Sequence, residues 1–289
     1  MDSKQQVLIC GAGYVGALAA RHLSDGGHEV CTIRRSDVAI PGVPHRVVGD
    51  VLTPATLDQV PFEPTWLVYA LSPDERSEVA YRRTYIAGLG AVLGHPGLNK
   101  QLRRVVLTSS TAVYGQKDGS WVTENSATDP GAFNGTVLLE AEQLLEGRDA
   151  VCLRFGGIYG PGRTSLVDKI AHGELNLSAP GTRSGYTNRI HVVDCARAIV
   201  HVLTLSAPRS RYIAVDDDPA SFETVVEFIS GELGVPYPAS RPTSTTQGKR
   251  CSNQALKSDG FQLSYPSFRE GYRELIEARR QTLAGARKG

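Results

Sequence analysis

Paired cysteines, long hydrophobic runs and an excess of charge of either sign are all missing from this chain. The five cysteines (Cys10, Cys31, Cys152, Cys195 and Cys251) are odd in number, widely spaced and form no C-x-x-C pair. That pattern argues against a disulfide framework or a thiolate metal site and predicts buried small hydrophobes. No metal is expected. No apolar stretch approaches the roughly 20 residues of a membrane-spanning helix, and Met1 to Gln6 carries no signal-peptide apolar region. A cytoplasmic protein without membrane contact is therefore expected. Lys and Arg number 31 against 30 Asp and Glu, a formal net charge of +1. Such a balance gives no electrostatic footprint for nucleic acid or an acidic membrane. Internal repeats and low-complexity tracts are absent. At 289 residues the chain can bury a large core, as one large domain or two modest ones.

What is present starts at residue 7. Val7-Leu8-Ile9-Cys10 is an apolar run of the kind a strand shows when both faces of its sheet are covered. It leads directly into Gly11-Ala12-Gly13-Tyr14-Val15-Gly16, after which Ala17 to Leu23 carries helical periodicity. A G-x-G-x-x-G pattern between a strand and a helix predicts dinucleotide binding. Gly11 serves the tight turn, Gly13 the approach of backbone to a pyrophosphate, and Gly16 the close packing of helix on strand. The helix N-terminus would hold the phosphates through its free N–H groups and dipole. An ordinary strand–helix connection is the competing reading.

The first half then alternates strands with helical stretches. Strands are expected at His28–Ile33, Arg46–Val48, Trp66–Leu71, Arg104–Ser109 and Ala150–Phe155, and the clearest helix at Leu138–Leu145. This alternation predicts an α/β fold, a doubly wound parallel (Rossmann) sheet covered by helices on both faces. After Gly160-Pro161-Gly162 the pattern changes. A loop-rich stretch precedes a helix near Val193–Leu205, a strand at Tyr212–Val215, a helix near Phe222–Leu233, an irregular excursion from Pro236 to Gly248 and a final helix from Ser267 to Leu283. The expected division is a dinucleotide-binding domain over 1–163 and a smaller C-terminal substrate lobe over 164–289, some of whose elements return to the main sheet.

Cofactor preference is read at the end of the second strand. An acidic residue about 20 residues past the glycines selects NAD through the ribose 2′-hydroxyl. Here the segment is Ile33-Arg34-Arg35-Ser36, and a guanidinium fork suits a 2′-phosphate. NADP(H) is expected over NAD(H), which stays open. Tyr14, Val15, Ala70 and Leu71 complete the expected cofactor set. Asp50 either contacts the adenine or caps the helix that follows.

Three further segments accompany the glycine turn: Leu107-Thr108-Ser109-Ser110-Thr111-Ala112-Val113-Tyr114-Gly115, Leu153-Arg154-Phe155-Gly156-Gly157-Ile158-Tyr159-Gly160-Pro161-Gly162, and Arg189-Ile190-His191-Val192-Val193-Asp194. Together, and in this order, they resemble the extended short-chain dehydrogenase/reductase family of the NAD-dependent epimerase/dehydratase type, over most of the chain. The resemblance implies that Ser110 orients the substrate oxygen. It also implies a Tyr-x-x-x-Lys pair just before Leu139-Glu140-Ala141-Glu142, in which the tyrosine exchanges a proton and the lysine lowers its pKa and holds the nicotinamide ribose. This chain has Asn134 at the tyrosine position and Leu138 at the lysine position. Tyr85 stands where the family often has an asparagine. The chain thus resembles an atypical branch, and the usual mechanism does not carry over. Asparagine cannot exchange a proton, and a free tyrosine, with a pKa near 10, needs a nearby cation to act at neutral pH.

Hydride transfer is the cofactor's chemistry, and the protein supplies position and a proton. Tyr114 and His191 are the candidate replacements for the missing pair, each with a structural alternative: a packing tyrosine, and a helix-start histidine bonded to backbone. Thr111, Asn134, Tyr186 and Arg189 are expected at the substrate. Arg163, Arg183 and Lys249-Arg250 add positive charge suited to an anionic small molecule, and Arg154 is expected to be buried and paired. The leading expectation is an NADP(H)-dependent oxidoreductase acting on a small carbonyl, alcohol or imine compound. The alternatives are a sugar-nucleotide epimerase or dehydratase, and a dinucleotide-binding sensor or scaffold without catalysis. A homodimer is compatible with the family's fold.

Overall fold

The structure, a computed structural model, describes residues 4–178, 185–238 and 247–286. Its strands in chain order are β1 (Gln6–Cys10), β2 (Glu29–Arg34), β3 (His45–Val48), β4 (Trp66–Tyr69), β5 (Arg104–Ser110), β6 (Asp118–Val122), β7 (Ala150–Phe155), β8 (Gly157–Tyr159), β9 (Arg189–His191), β10 (Arg211–Ala214) and β11 (Gly248–Cys251). Seven of them form one parallel sheet in the order β10-β7-β5-β4-β1-β2-β3. Strand order reverses between β1 and β4, the position at which doubly wound sheets open a ligand crevice at their carboxyl edge.

The apolar runs follow from this layering. Successive residues of a strand face opposite sides of the sheet. Leu8 and Cys10 of β1 enter one core with Leu67 and Tyr69 of β4 and Val105 and Leu107 of β5. Val7 and Ile9 enter the other with Val68, Val106 and Leu153. The first core is closed by the helix Phe133–Gln143, through Val137, Leu138 and Ala141. The second is closed by the helices Gly16–Asp25 and Val192–Thr204, through Ala19, Leu23, Ala198 and Val202. All five cysteines are buried and unpaired.

A third core, separate from the sheet, joins Val167 and Ile170 of the helix Ser165–Ala171, Val225, Val226 and Ile229 of the helix Phe222–Leu233, and Phe268, Tyr272 and Ile276 of the helix Phe268–Ala286. The chain beyond residue 163 nevertheless also serves the main sheet, with β10 at its edge and Val192–Thr204 on its face.

Four strands depart from the sequence expectation. β6 pairs with β11 and β8 with β9, each as a two-stranded parallel ribbon beside the main sheet. Both ribbons are short and join segments far apart in sequence, so neither leaves a period-2 signal long enough to read. The expected irregular excursion ends in β11, and residues 239–246 of it lie outside the described residues. The expected loop-rich stretch contains the helix Ser165–Ala171.

At the turn after β1, Gly11 adopts φ +97°, and a Cβ there would lie 2.5 Å from the Ala70 carbonyl carbon. A Cβ on Gly16 would lie 2.2 Å from the Gly11 oxygen. The helix sits on the strand with no side chain between them. Gly16→Ala is expected to destabilise the fold by about 1–3 kcal/mol through overpacking, read from the urea midpoint.

Candidate functional site

The glycine turn lies at the strand-order reversal, beside Ala70 and Leu71 at the exit of β4. The Ala70 N–H donates to the Cys10 carbonyl at 2.8 Å. Gly13 is exposed, and a Cβ on it would meet no protein atom within 4 Å. Gly11 and Gly16 are therefore closed against protein, while Gly13 opens to solvent. This is a cradle that fits a pyrophosphate. Val15 is partly buried and packs against the second core. The Tyr14 side chain turns away from the cradle. Its ring lies under the Arg163 guanidinium at 4.3 Å, and its hydroxyl is buried without a hydrogen-bond partner. The main chain of Tyr14 forms part of the turn, while its side chain packs under Arg163.

At the end of β2 the two arginines differ. Arg34 Nε donates to Ser36 Oγ at 3.1 Å, and among the described residues no carboxylate pairs with Arg34. Arg35 is held by both carboxylate oxygens of Asp74, which follows β4. Asp50 accepts from the Leu52 N–H (3.0 Å) and from Arg83 (2.9 Å). Burial opposes its ionisation, but these bonds hold its pKa below the usual range. It therefore caps its own turn, at a small recess shared with Arg35, Leu71 and Asp74.

At the carboxyl edge of β5 and β7 a cavity of about 600 Å³ is lined by Ser110, Thr111, Asn134, Tyr186, Asn188 and Lys249, among others. Five of the expected site residues (Ser110, Thr111, Tyr114, Asn134 and Tyr186) thus border one cavity. Ser110 ends β5, and its Oγ accepts from the Ala112 N–H at 3.1 Å. Among the described residues the cavity wall includes Arg76, Lys117 and Lys249 but no carboxylate. A second cavity, of about 770 Å³, is lined by Arg163, Lys169, Arg189 and Asp168. Gly157, Thr187 and Asn188 border both, so the two cavities are neighbours. Arg189 is largely buried and donates to Thr187 Oγ1. Arg183 lies outside the described residues.

Of the two expected proton donors, Tyr114 borders the cavity and His191 borders neither. The Tyr114 hydroxyl accepts from Arg154 at 2.7 Å, and the residue is 2% exposed. Burial pushes its pKa up to about 12, against the pull of Arg154. His191 is 1% exposed, lies against Tyr265 with ring centroids 3.6 Å apart, and lines neither cavity. Its Nδ1 accepts from the Val193 N–H at 3.4 Å, capping the helix Val192–Thr204, and burial lowers its pKa. These geometries correct the expectation that either residue exchanges the substrate proton: Tyr114 is a packing tyrosine and His191 a helix-start histidine.

Beneath Ser110 lies a buried ion pair. Arg154, 1% exposed at its side chain, bonds Glu142 through Nε (3.0 Å) and a terminal nitrogen (2.6 Å), and Ser109 Oγ donates to the same carboxylate at 2.7 Å. Asn134, Leu138 and Glu142 follow one another at i, i+4 and i+8 on the helix Phe133–Gln143. This row runs from the cavity through the apolar core, where Leu138 is 3% exposed, to the ion pair. The lysine position of the family pair is thus occupied by a core residue.

Sequence reasoning underrated two residues. Glu124 accepts from the Ile213 N–H at 2.7 Å and ties the segment after β6 to β10. Lys249, read only as added positive charge, lies in the cavity beside Ser110. The signal for Lys249 was Gly248, whose φ of +83° marks a forced turn.

With this geometry in place, comparison with known proteins is informative. The description "NAD dependent epimerase/dehydratase family" matches residues 7–214, and the chain belongs to that family. A protein from Methylobacillus flagellatus, provisionally assigned as an NAD-dependent epimerase/dehydratase, is 33% identical, with TM-score 0.84 over 96% of this chain and 100% of its own. UDP-glucose 4-epimerase from Bifidobacterium longum, solved with NAD+ and UDP, has the same fold at 22% identity (TM-score 0.75; 96% and 98% of the chains). So does a short-chain dehydrogenase/reductase superfamily protein from Agrobacterium tumefaciens with bound NAD, at 18% identity (TM-score 0.79; 98% and 100%). No curated protein matches the chain significantly. Among the described residues no group of His, Cys, Asp and Glu is placed to hold a metal, and no helix is long and apolar enough to cross a membrane.

Two outcomes test the site. Gly13→Ala is expected to leave the thermal midpoint within about 2 °C, because the new methyl meets nothing, while weakening dinucleotide binding at least tenfold by calorimetry. Glu142→Ala is expected to cost about 3–5 kcal/mol of stability, because it strands the buried Arg154 charge; chemical denaturation measures the loss.

Proposed function

We propose that the protein is an oxidoreductase that uses a nicotinamide dinucleotide, NADP(H) in preference to NAD(H), on a small anionic carbonyl compound or the matching alcohol. One observation carries this reading. The cavity beside Ser110 carries Arg76, Lys117 and Lys249, its neighbour carries Arg163, Lys169 and Arg189, and among the described residues lining the two the one carboxylate is Asp168; the first lies at the carboxyl edge of the sheet that holds the glycine cradle. When bound, the nicotinamide exchanges a hydride with the substrate carbon. Gly11, Gly13 and Gly16 shape the phosphate site, and Arg34, free of any carboxylate, reaches for a 2′-phosphate while Asp74 occupies Arg35. Ser110 orients the substrate oxygen, with Thr111 and Asn134 beside it. Arg189, Arg163 and Lys169 hold the anionic end. In this reading the lobe over 164–289 supplies the substrate side of the cleft and the domain over 1–163 the cofactor side.

A second reading, a sugar-nucleotide epimerase or dehydratase, is favoured by the basic cavity around Arg163, Lys169 and Arg189, which suits a diphosphate. Against it stands the loss of the tyrosine that would deprotonate a sugar hydroxyl. Nucleotide retained through purification, together with conversion of UDP-glucose, would select this reading.

Calorimetric titration separates the cofactor preferences. NADPH is expected to bind at least tenfold tighter than NADH, and Arg34→Ala to bring the two within threefold. Equal affinity in the wild-type protein would overturn the NADP(H) preference. NADPH oxidation against a panel of 2-oxo acids and other charged aldehydes and ketones tests the activity itself, and absence of turnover across the panel would refute it.

A further inference from the structure

The helix Phe133–Gln143 has Asn134 and Leu138 where the resemblance implies the Tyr-x-x-x-Lys pair, yet the cavity beside Asn134 contains a half-buried amine from another segment. Lys249 lies on β11, and its Nζ donates to the Tyr114 carbonyl at 2.6 Å. No carboxylate pairs with it among the described residues, whereas most other basic side chains described here have an acidic partner. A lone ammonium held by one neutral carbonyl keeps two donor hydrogens for a ligand. It shares the cavity wall with Ser110 and Asn134.

The fold goes to some length to put it there. The segments 185–186 and 247–248 cross in direct backbone contact: the Tyr186 N–H donates to the Gln247 carbonyl at 2.8 Å. A Cβ on Gly185 would lie 2.3 Å from the Gln247 oxygen, and one on Gly248 would lie 2.4 Å from the Tyr186 oxygen. Asn188 then clamps β11 from both sides of its amide. Its Nδ2 donates to the Lys249 carbonyl at 3.0 Å and its Oδ1 accepts from the Cys251 N–H at 2.7 Å. Lys249 is fixed by its main chain rather than by a charge partner, which leaves its ammonium available.

We infer that Lys249 is the general acid of the site, giving its proton to the substrate oxygen that Ser110 orients; this rests on the functional reading above. In the balanced step, the hydride supplied by NADPH forms the new C–H bond and the C=O π pair moves to oxygen. The Lys249 N–H bond breaks as the O–H bond forms, leaving an alcohol, oxidised cofactor and a neutral amine that water reprotonates. Most other groups on the wall do not suit the task. Asn134 has no proton to exchange, Arg76 does not deprotonate in proteins, Lys117 is exposed, and the Tyr114 hydroxyl is held by Arg154 with its pKa raised by burial. Tyr186, with the Arg250 guanidinium 5.0 Å from its ring, is the competing donor that the Tyr186→Phe variant separates from Lys249. The charge environment favours the neutral amine as the product of the step. Burial lowers the Lys249 pKa, Lys117 lowers it further, and Cys251 on its own strand acts in the opposite direction. Lowering a lysine toward neutrality improves it as a proton donor.

Two measurements test this. The first needs no substrate: competitive labelling of the intact protein with acetic anhydride across pH, read by peptide mass spectrometry, with exposed Lys4 as internal comparison. Lys249 is expected to become reactive at lower pH than Lys4, and reactivity in step with Lys4 would overturn the inference. The second uses NADPH and a carbonyl compound turned over in the panel above. A general acid must be protonated, so kcat/KM of the wild-type protein falls as pH rises through a limb below the ordinary lysine range. Lys249→Met is expected to lower kcat by about 10²–10⁴-fold and remove that limb, with KM changed less than threefold and NADPH affinity intact as the check on folding. Lys249→Arg is expected not to restore the rate, and Tyr186→Phe to keep the limb. Absence of turnover by the wild-type protein overturns the functional reading. Turnover that survives in Lys249→Met, or a limb that disappears instead in Tyr186→Phe, overturns this inference alone.

Discussion

The buried Arg154–Glu142 pair is the interaction on which the site's geometry hangs. It joins four parts of the chain: Arg154 from β7, Glu142 from the helix Phe133–Gln143, Ser109 from β5, and Tyr114 from the loop after β5. An ion pair out of water has to offset a large desolvation cost, and does so only with good geometry and its remaining valences filled. Here the carboxylate accepts from three donors, and the guanidinium spends its last terminal nitrogen on the Tyr114 hydroxyl. With its hydroxyl so held, Tyr114 presents its carbonyl to Lys249, and Ser110 is set next to the anchored Ser109. The floor of the cavity is thereby fixed from below.

The roof is fixed by a different means. Where the segments 185–186 and 247–248 cross, the strands approach too closely for any Cβ, and glycine is required on both. The Asn188 amide completes the crossing by satisfying one donor and one acceptor of β11. A rigid floor and a pinned roof give a cleft whose polar groups are positioned before a ligand arrives, as catalysis by orientation and electrostatics demands. The cofactor side obeys the same economy. Gly11 and Gly16 let backbone press on backbone, and Gly13 leaves backbone open.

The first half of the fold was legible because its signals are local. The central strands β1 and β4 carry apolar runs, Val7–Cys10 and Trp66–Tyr69, since both their faces are buried, and the glycine turn follows the first of them directly. Ser110, Thr111 and Asn134 were legible as cavity residues through the family's segments. Tyr114 and His191 were not, because a side chain's direction is set by partners distant in sequence. For Tyr114 the partner is Arg154, 40 residues on. For His191 it is the aromatic enclosure formed with Tyr159 and Tyr265. β11 escaped notice for a similar reason. It pairs with β6, whose residues precede it by more than a hundred positions, and neither strand alternates over enough residues to register.

By itself, then, the sequence determined the doubly wound sheet, the glycine turn, the burial of the cysteines, and the loss of the tyrosine and lysine at 134 and 138. The first three follow from composition and short-range periodicity, and the last from the resemblance of the chain's segments to the family. Tertiary structure alone decided which ionisable groups meet. It sent Tyr114 and His191 into the interior, paired Arg35 with Asp74 while sparing Arg34, and carried Lys249 across to Ser110. The physical reason is that charge and hydrogen bonding act over a few ångströms of space, whereas the residues they join here lie tens to more than a hundred positions apart along the chain.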